Sequence, residues 1–111
     1  VTDPDTDGRA AQPGYVACSE LRVAAEGRAA LLAAFRDRLG AVDSWPGFRG
    51  VQVWQDDSDP LRFVMVTWWD DEAAFRDYLA SDAFRRSAAR IPAGEHGPRR
   101  VALDRFEVVA W

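Results

Sequence analysis

The chain has one cysteine, one histidine and no lysine; all 14 of its basic residues are arginine. A single cysteine, Cys18, excludes an intrachain disulfide. It falls within an apolar alternation with no base near it in sequence, so it reads as a small buried hydrophobe and not a nucleophile. One histidine and scattered carboxylates give no spaced set of metal ligands. The run Asp56, Asp57, Asp59 resembles a calcium loop only in its acids, because the glycine at the sixth loop position and the glutamate at the twelfth are missing. There is no Gly-rich phosphate loop and no nucleophile elbow. No apolar run approaches the ~20 residues of a membrane span, and no basic-then-apolar leader opens the chain, so a cytoplasmic protein is expected. A net charge of -4 argues against nucleic-acid binding, which calls for a basic patch. Arginine pairs do occur at Arg85-Arg86 and Arg99-Arg100, but acids surround both. Arginine in place of lysine, with abundant alanine, suggests a GC-rich bacterial coding bias.

What is present is ordinary for one soluble domain: 111 residues, 48% hydrophobic and 29% charged, enough chain to bury a core. Val1 to Gly14 is polar and reads as a flexible arm, leaving residues 15–111 as the domain. Tyr15 to Val23 alternates as a strand, with Tyr15, Ala17, Ser19 and Leu21 on one face. Gly27 to Val42 predicts a helix with Leu31, Leu32, Phe35, Leu39 and Val42 on one stripe. Phe48 to Gln55 and Leu61 to Trp69 predict a hairpin across the polar stretch from Asp56 to Pro60. Asp70 or Asp71 is placed to cap a helix carrying Phe75, Tyr78 and Leu79; Ser81 restarts it, with Phe84, Ala88 and Ile91 on the apolar side. A Gly/Pro loop holding His96 precedes a last strand, Val101 to Trp111.

The order β-α-β-β-α-β is the ferredoxin-like α+β arrangement, a four-stranded antiparallel sheet with both helices on one face. The third strand is apolar on both faces: Phe63, Met65 and Trp69 on one, Val64, Val66 and Trp68 on the other. A sheet with one wet face should alternate apolar with polar. The helix-free face is therefore expected to meet the sheet of a second copy, giving a homodimeric α+β barrel.

Pro46-Gly47-Phe48, a hairpin, Trp68-Trp69-Asp70, then Phe75, Tyr78, Ser81 and Phe84 at helical spacing form an order that resembles the antibiotic biosynthesis monooxygenase family. The resemblance runs from Tyr15 to Trp111. It implies the same dimeric barrel and a cavity between sheet and helices. It also implies a cofactor-independent monooxygenase that oxidises a small aromatic or polyketide-type molecule, anthrone- or hydroquinone-like, with O2. Such chemistry needs an electron-rich substrate anion, a base, hydrogen bonds to the developing charge and a dry pocket. The candidate catalytic residues are Trp69, Tyr78, Arg86 and His96; the candidate substrate contacts are Tyr15, Ser19, Phe63, Met65, Thr67, Phe75 and Phe84. The indole N–H of Trp69 and the hydroxyl of Tyr78 would find partners in the pocket. Arg62 and Arg90 are further cationic candidates. A polyketide cyclase or isomerase, or a small-ligand binder of the same fold, is the alternative. The haem-degrading branch depends on an axial histidine where this chain has Ala88 and an asparagine where it has Ser19. Alanine offers iron no donor, so haem degradation by that mechanism is not expected.

Overall fold

The structure is a computed structural model that describes residues 13–37 and 40–110. Most of the arm expected at residues 1–14, the stripe residue Leu39 and the terminal Trp111 lie outside the described residues. The elements are β1 (Tyr15–Arg22), α1 (Arg28–Arg36), β2 (Phe48–Asp56), β3 (Asp59–Trp69), α2 (Glu72–Leu79), α3 (Asp82–Ala88) and β4 (Arg99–Glu107). The strands form one sheet in the order β2-β3-β1-β4, with each neighbouring pair antiparallel. This is the ferredoxin-like α+β fold expected from the element order.

Local chemistry sets the boundaries. The Asp71 side chain accepts a 2.9 Å hydrogen bond from the Ala74 N–H and opens α2; the Ser81 hydroxyl accepts from the Phe84 N–H at 3.1 Å and opens α3. Both side chains satisfy amides that a helix start leaves free. The first helix is shorter than the Gly27–Val42 span its apolar stripe predicts. It ends at Arg36, and a separate 3-10 turn covers Ala41–Ser44. The break has a visible cause: Gly40 sits at φ 74°, a left-handed conformation that terminates helices. Gly47 is likewise left-handed (φ 84°), and a Cβ there would come within 2.5 Å of the Ala74 side chain, so only glycine lets this turn lie against α2.

The core is divided. One cluster gathers Tyr15, Ala17, Trp69, Phe75, Tyr78 and Ala83 at the end of the sheet under α2 and α3. The other gathers Leu21, Val23, Leu31 and Phe63 under α1. Between them the helix-facing side of the sheet carries small or unbranched side chains, Ser19, Thr67 and Met65.

The opposite face has a polar end and an apolar end. Val66 is buried there, while Trp54 and Phe106 are about half exposed (49% and 52%) and the Trp54 and Trp68 rings lie 6.5 Å apart. At the polar end Arg62 donates to Glu20 (2.7 Å) and to Asp56 (3.0 Å), and Arg22 donates to Asp59 (2.8 Å). Asp56 and Asp59 thus serve the hairpin turn and these pairs, since Asp56 also accepts from Ser58 and Asp59 from the Leu61 N–H. The Arg62 hydrogen bond holds the Glu20 carboxyl below its usual value. The bonds from Ser58, then Arg62, do the same for Asp56.

These depressed carboxyls stabilise the fold above their unfolded values, around pH 4, and that contribution is lost as pH falls through the lower folded values. Urea midpoints compared at about pH 7 and about pH 3 should therefore fall less in Arg62→Met than in the unsubstituted chain. Equal falls would refute the role given to Arg62.

Candidate functional site

The divided core leaves a cavity of about 390 Å3 between sheet and helices. Its floor comes from alternate residues of three strands: Ala17, Ser19 and Leu21 of β1, Val51 and Val53 of β2, and Met65, Thr67 and Trp69 of β3. Phe35 of α1 closes one end; Phe75, Tyr78 and Leu79 of α2 close the other. Phe84, Ser87 and Ala88 of α3, followed by Arg90 and Ile91, form the roof. Pro98, Arg100 and Leu103 complete the side next to β4. The volume is in the range of small-molecule sites, roughly 300–1,000 Å3.

Trp69 is almost fully buried (1%) and packs against Phe48, Tyr78 and Phe75 with ring centroids 5.3, 5.4 and 5.5 Å away. Its indole N–H donates to the Thr67 hydroxyl at 2.9 Å. The expected partner in the pocket is thus a wall residue, Thr67. Because Thr67 accepts from Trp69, its own hydroxyl proton is left for another acceptor. Tyr78 stands among Trp45, Trp69 and Phe84, with ring centroids 5.4–5.6 Å away.

The charges are all of one sign. Among the described residues no aspartate or glutamate lines the cavity, whereas Arg90 and Arg100 do; both are exposed, and neither has an acidic partner there. Arg105 lies 5.4 Å above the Phe75 ring. Such a rim favours an anion seated against an apolar body.

The structure brings Ser19, Met65, Thr67, Trp69, Phe75, Tyr78 and Phe84 to one cavity, as the sequence suggested. It does not bring Tyr15, Phe63, Arg86 or His96 there. Tyr15 and Phe63 are core, Tyr15 beside Phe75 (5.8 Å) and Phe63 beside Phe35 (6.0 Å). Arg86 is exposed on α3 outside the lining. His96 is exposed, 3.8 Å from Glu26. Arg62, another cationic candidate, is held by Glu20 and Asp56 on the far face of the sheet. Sequence reasoning gave no role to Arg100, Phe35 or Val53. Arg100 was concealed by an irregularity: β4 slips in register opposite Glu20 and Leu21, which turns it onto the cavity face.

The sequence model of a family described as antibiotic biosynthesis monooxygenase matches residues 10–90. A staphylobilin-producing heme oxygenase of Staphylococcus epidermidis is 33% identical over 61 residues, which is 53% of this chain. The chain spans 59% of that relative's length. Among solved structures, the heme-degrader MhuD of Mycobacterium tuberculosis, with two hemes bound in its active site, is 28% identical with a TM-score of 0.70. That likeness covers 86% of this chain and 96% of MhuD. SnoaB, a cofactor-independent oxygenase of Streptomyces nogalater, shares the fold at 18% identity and a TM-score of 0.73, over 89% of this chain and 96% of SnoaB.

These relatives overturn the expectation of a cofactor-independent oxidation of an anthrone- or hydroquinone-like molecule. That expectation set haem aside because Ala88 offers no axial donor. The criterion concerned the bond to iron and not the body of the cavity.

The pairing of Trp69 with Thr67 gives a direct test of how the floor is held. Thr67→Val keeps the shape of the side chain and leaves the indole N–H without its acceptor. It should lower stability by about 1–3 kcal/mol in urea titrations followed by tryptophan emission. An unchanged midpoint would mean that the bond contributes nothing.

Proposed function

Since the chain belongs to the antibiotic biosynthesis monooxygenase family, we propose that it captures a haem-class tetrapyrrole in this cavity and acts on it as an oxygenase. The observation that supports the reading is the composition of the site: apolar walls for the faces of a macrocycle, two rim guanidiniums for its carboxylates, and no opposing acid. The heme oxygenase and the heme-degrader that it resembles point to the same substrate class. In this reading Phe75, Phe84 and Trp69 pack on the ligand and keep water out, which strengthens every polar contact inside. Thr67, oriented by Trp69, donates its hydroxyl proton inward, and Arg90 and Arg100 pair with the carboxylates. Haem iron supplies dioxygen chemistry when it is bound. The lining offers no imidazole, thiolate or carboxylate, so it does not fit a conventionally ligated iron.

Haemin added to the purified chain should quench tryptophan emission saturably and alter the Soret band, with a Kd in the micromolar range or tighter. Ascorbate in air should then bleach that band. No saturable change in either signal would overturn the assignment.

We further propose that the helix-free face packs on a second copy. Trp54 and Phe106 are large, half exposed, and continuous with Trp68 and the buried Val66. Light scattering should give twice the chain mass at micromolar concentration, and Trp54→Glu with Phe106→Glu should halve it. A monomer in the unsubstituted chain would refute the dimer.

A further inference from the structure

The cavity poses a question of recognition that its shape alone leaves open: which part of the tetrapyrrole the protein holds. Taken by chemical type, the lining contains hydrocarbon, three hydroxyl-bearing residues besides Tyr78 (Ser19, Thr67 and Ser87), one thioether (Met65) and two guanidiniums. The strong iron donors of the chain are all elsewhere. His96 lies outside, 3.8 Å from Glu26, and Cys18 belongs to the opposite face of the sheet, where burial and then Asp104 push its thiol up, away from the thiolate that would bind a metal. Among the described residues no group of three histidine, cysteine or acidic side chains is placed to hold a metal ion. The remaining donors are poor. A thioether is soft and ferric iron is hard. Tyr78 would have to bind as a phenolate, and no cation bonds its hydroxyl among the described residues.

We infer that this site recognises its tetrapyrrole through the macrocycle's apolar faces and its carboxylates, and not through the metal. The inference rests on the tetrapyrrole reading above and adds to it a specificity: the metal-free porphyrin and the iron porphyrin are equivalent ligands. The apolar part of binding depends on the area of the faces, which the metal does not change. The polar part is charge-assisted pairing at the rim, which depends on the carboxylates alone.

The test is a pair of titrations followed by quenching of tryptophan emission, one with haemin and one with metal-free protoporphyrin. The two dissociation constants should agree within about threefold, and Arg90→Ala with Arg100→Ala should weaken both by about tenfold or more, the loss expected of charge-assisted bonds. Ala88 lines the cavity at the exposed end of α3. Ala88→His supplies the missing donor, so it should tighten haemin about tenfold or more and move its Soret band while leaving the metal-free affinity unchanged. Haemin bound more than about tenfold tighter than the metal-free porphyrin by the unsubstituted chain would overturn the inference and leave the tetrapyrrole reading standing. Loss of that preference in Met65→Leu would then identify the ligand. Arginine variants that bind as well as the unsubstituted chain would overturn the carboxylate half. Failure of both porphyrins to bind would overturn the tetrapyrrole reading itself, and the inference with it.

Discussion

Everything at the functional end of this fold hangs on how Trp69 is held. It is the last residue of β3, it is buried almost completely, and it touches Phe48, Phe75 and Tyr78 while its N–H is tied to Thr67. An indole in that position fixes the height of α2 above the sheet, because the helix rests on it through two rings. It also ties the neighbouring floor residue, since the Thr67 hydroxyl accepts its N–H. Directly beyond it Asp70 donates its N–H to the Gly47 carbonyl at 2.8 Å, which brings the Pro46-Gly47 turn under α2. Strand end, turn and helix start are thus a single packed unit.

The cavity follows from what this unit cannot reach. At the far end, Leu31 and Phe63 anchor α1 in a second cluster. The sheet between the two anchors presents a serine, a threonine and an unbranched methionine, which are too slight to fill the space beneath helices propped apart by aromatic rings. Close packing is the normal state of a protein interior. A gap lined by hydrocarbon between two well-packed clusters is what a bound apolar molecule would fill, and the hydroxyls of Ser19, Thr67, Tyr78 and Ser87 would give such a molecule an orientation.

The parts of this arrangement that were legible in the sequence were those written in local chemistry. Asp71 and Ser81 announce helix starts because their oxygens have only nearby amides to serve, and the alternation along Tyr15–Arg22 announces which residues face the helices. Trp69 was legible for the same reason, as an odd-numbered partner of Phe63 and Met65. What was hidden depended on departures from periodicity. Arg100 reads by parity onto the face opposite Leu103, and only the register slip opposite Glu20 and Leu21 turns it inward. His96 was a candidate because imidazole suits proton transfer, but which way its loop points is set by tertiary contacts that no periodicity records. The haem-degrading branch was set aside on different grounds: Ala88 offers no axial donor, and that one residue weighed against degradation by that mechanism.

The charge at the cavity rim bears on how a carboxylate-bearing ligand would be met there. The chain carries 18 acids against 14 arginines, so acids to pair with are not scarce. Arg22, Arg49, Arg62, Arg76 and Arg85 each have one. Arg90 and Arg100, at the rim of the cavity, have none among the described residues, and the same holds for Arg28, Arg36, Arg99 and Arg105. At an exposed rim an unpaired guanidinium stays hydrated, so leaving it unpaired costs the free protein little. A ligand that brings its carboxylates to the edge of an apolar site meets those guanidiniums where water is already partly displaced by its own bulk, and the pair is then worth more than the same pair in open solvent. The same geometry penalises an uncharged flat molecule of equal area, which would bury the floor and strip water from the arginines with nothing to replace it.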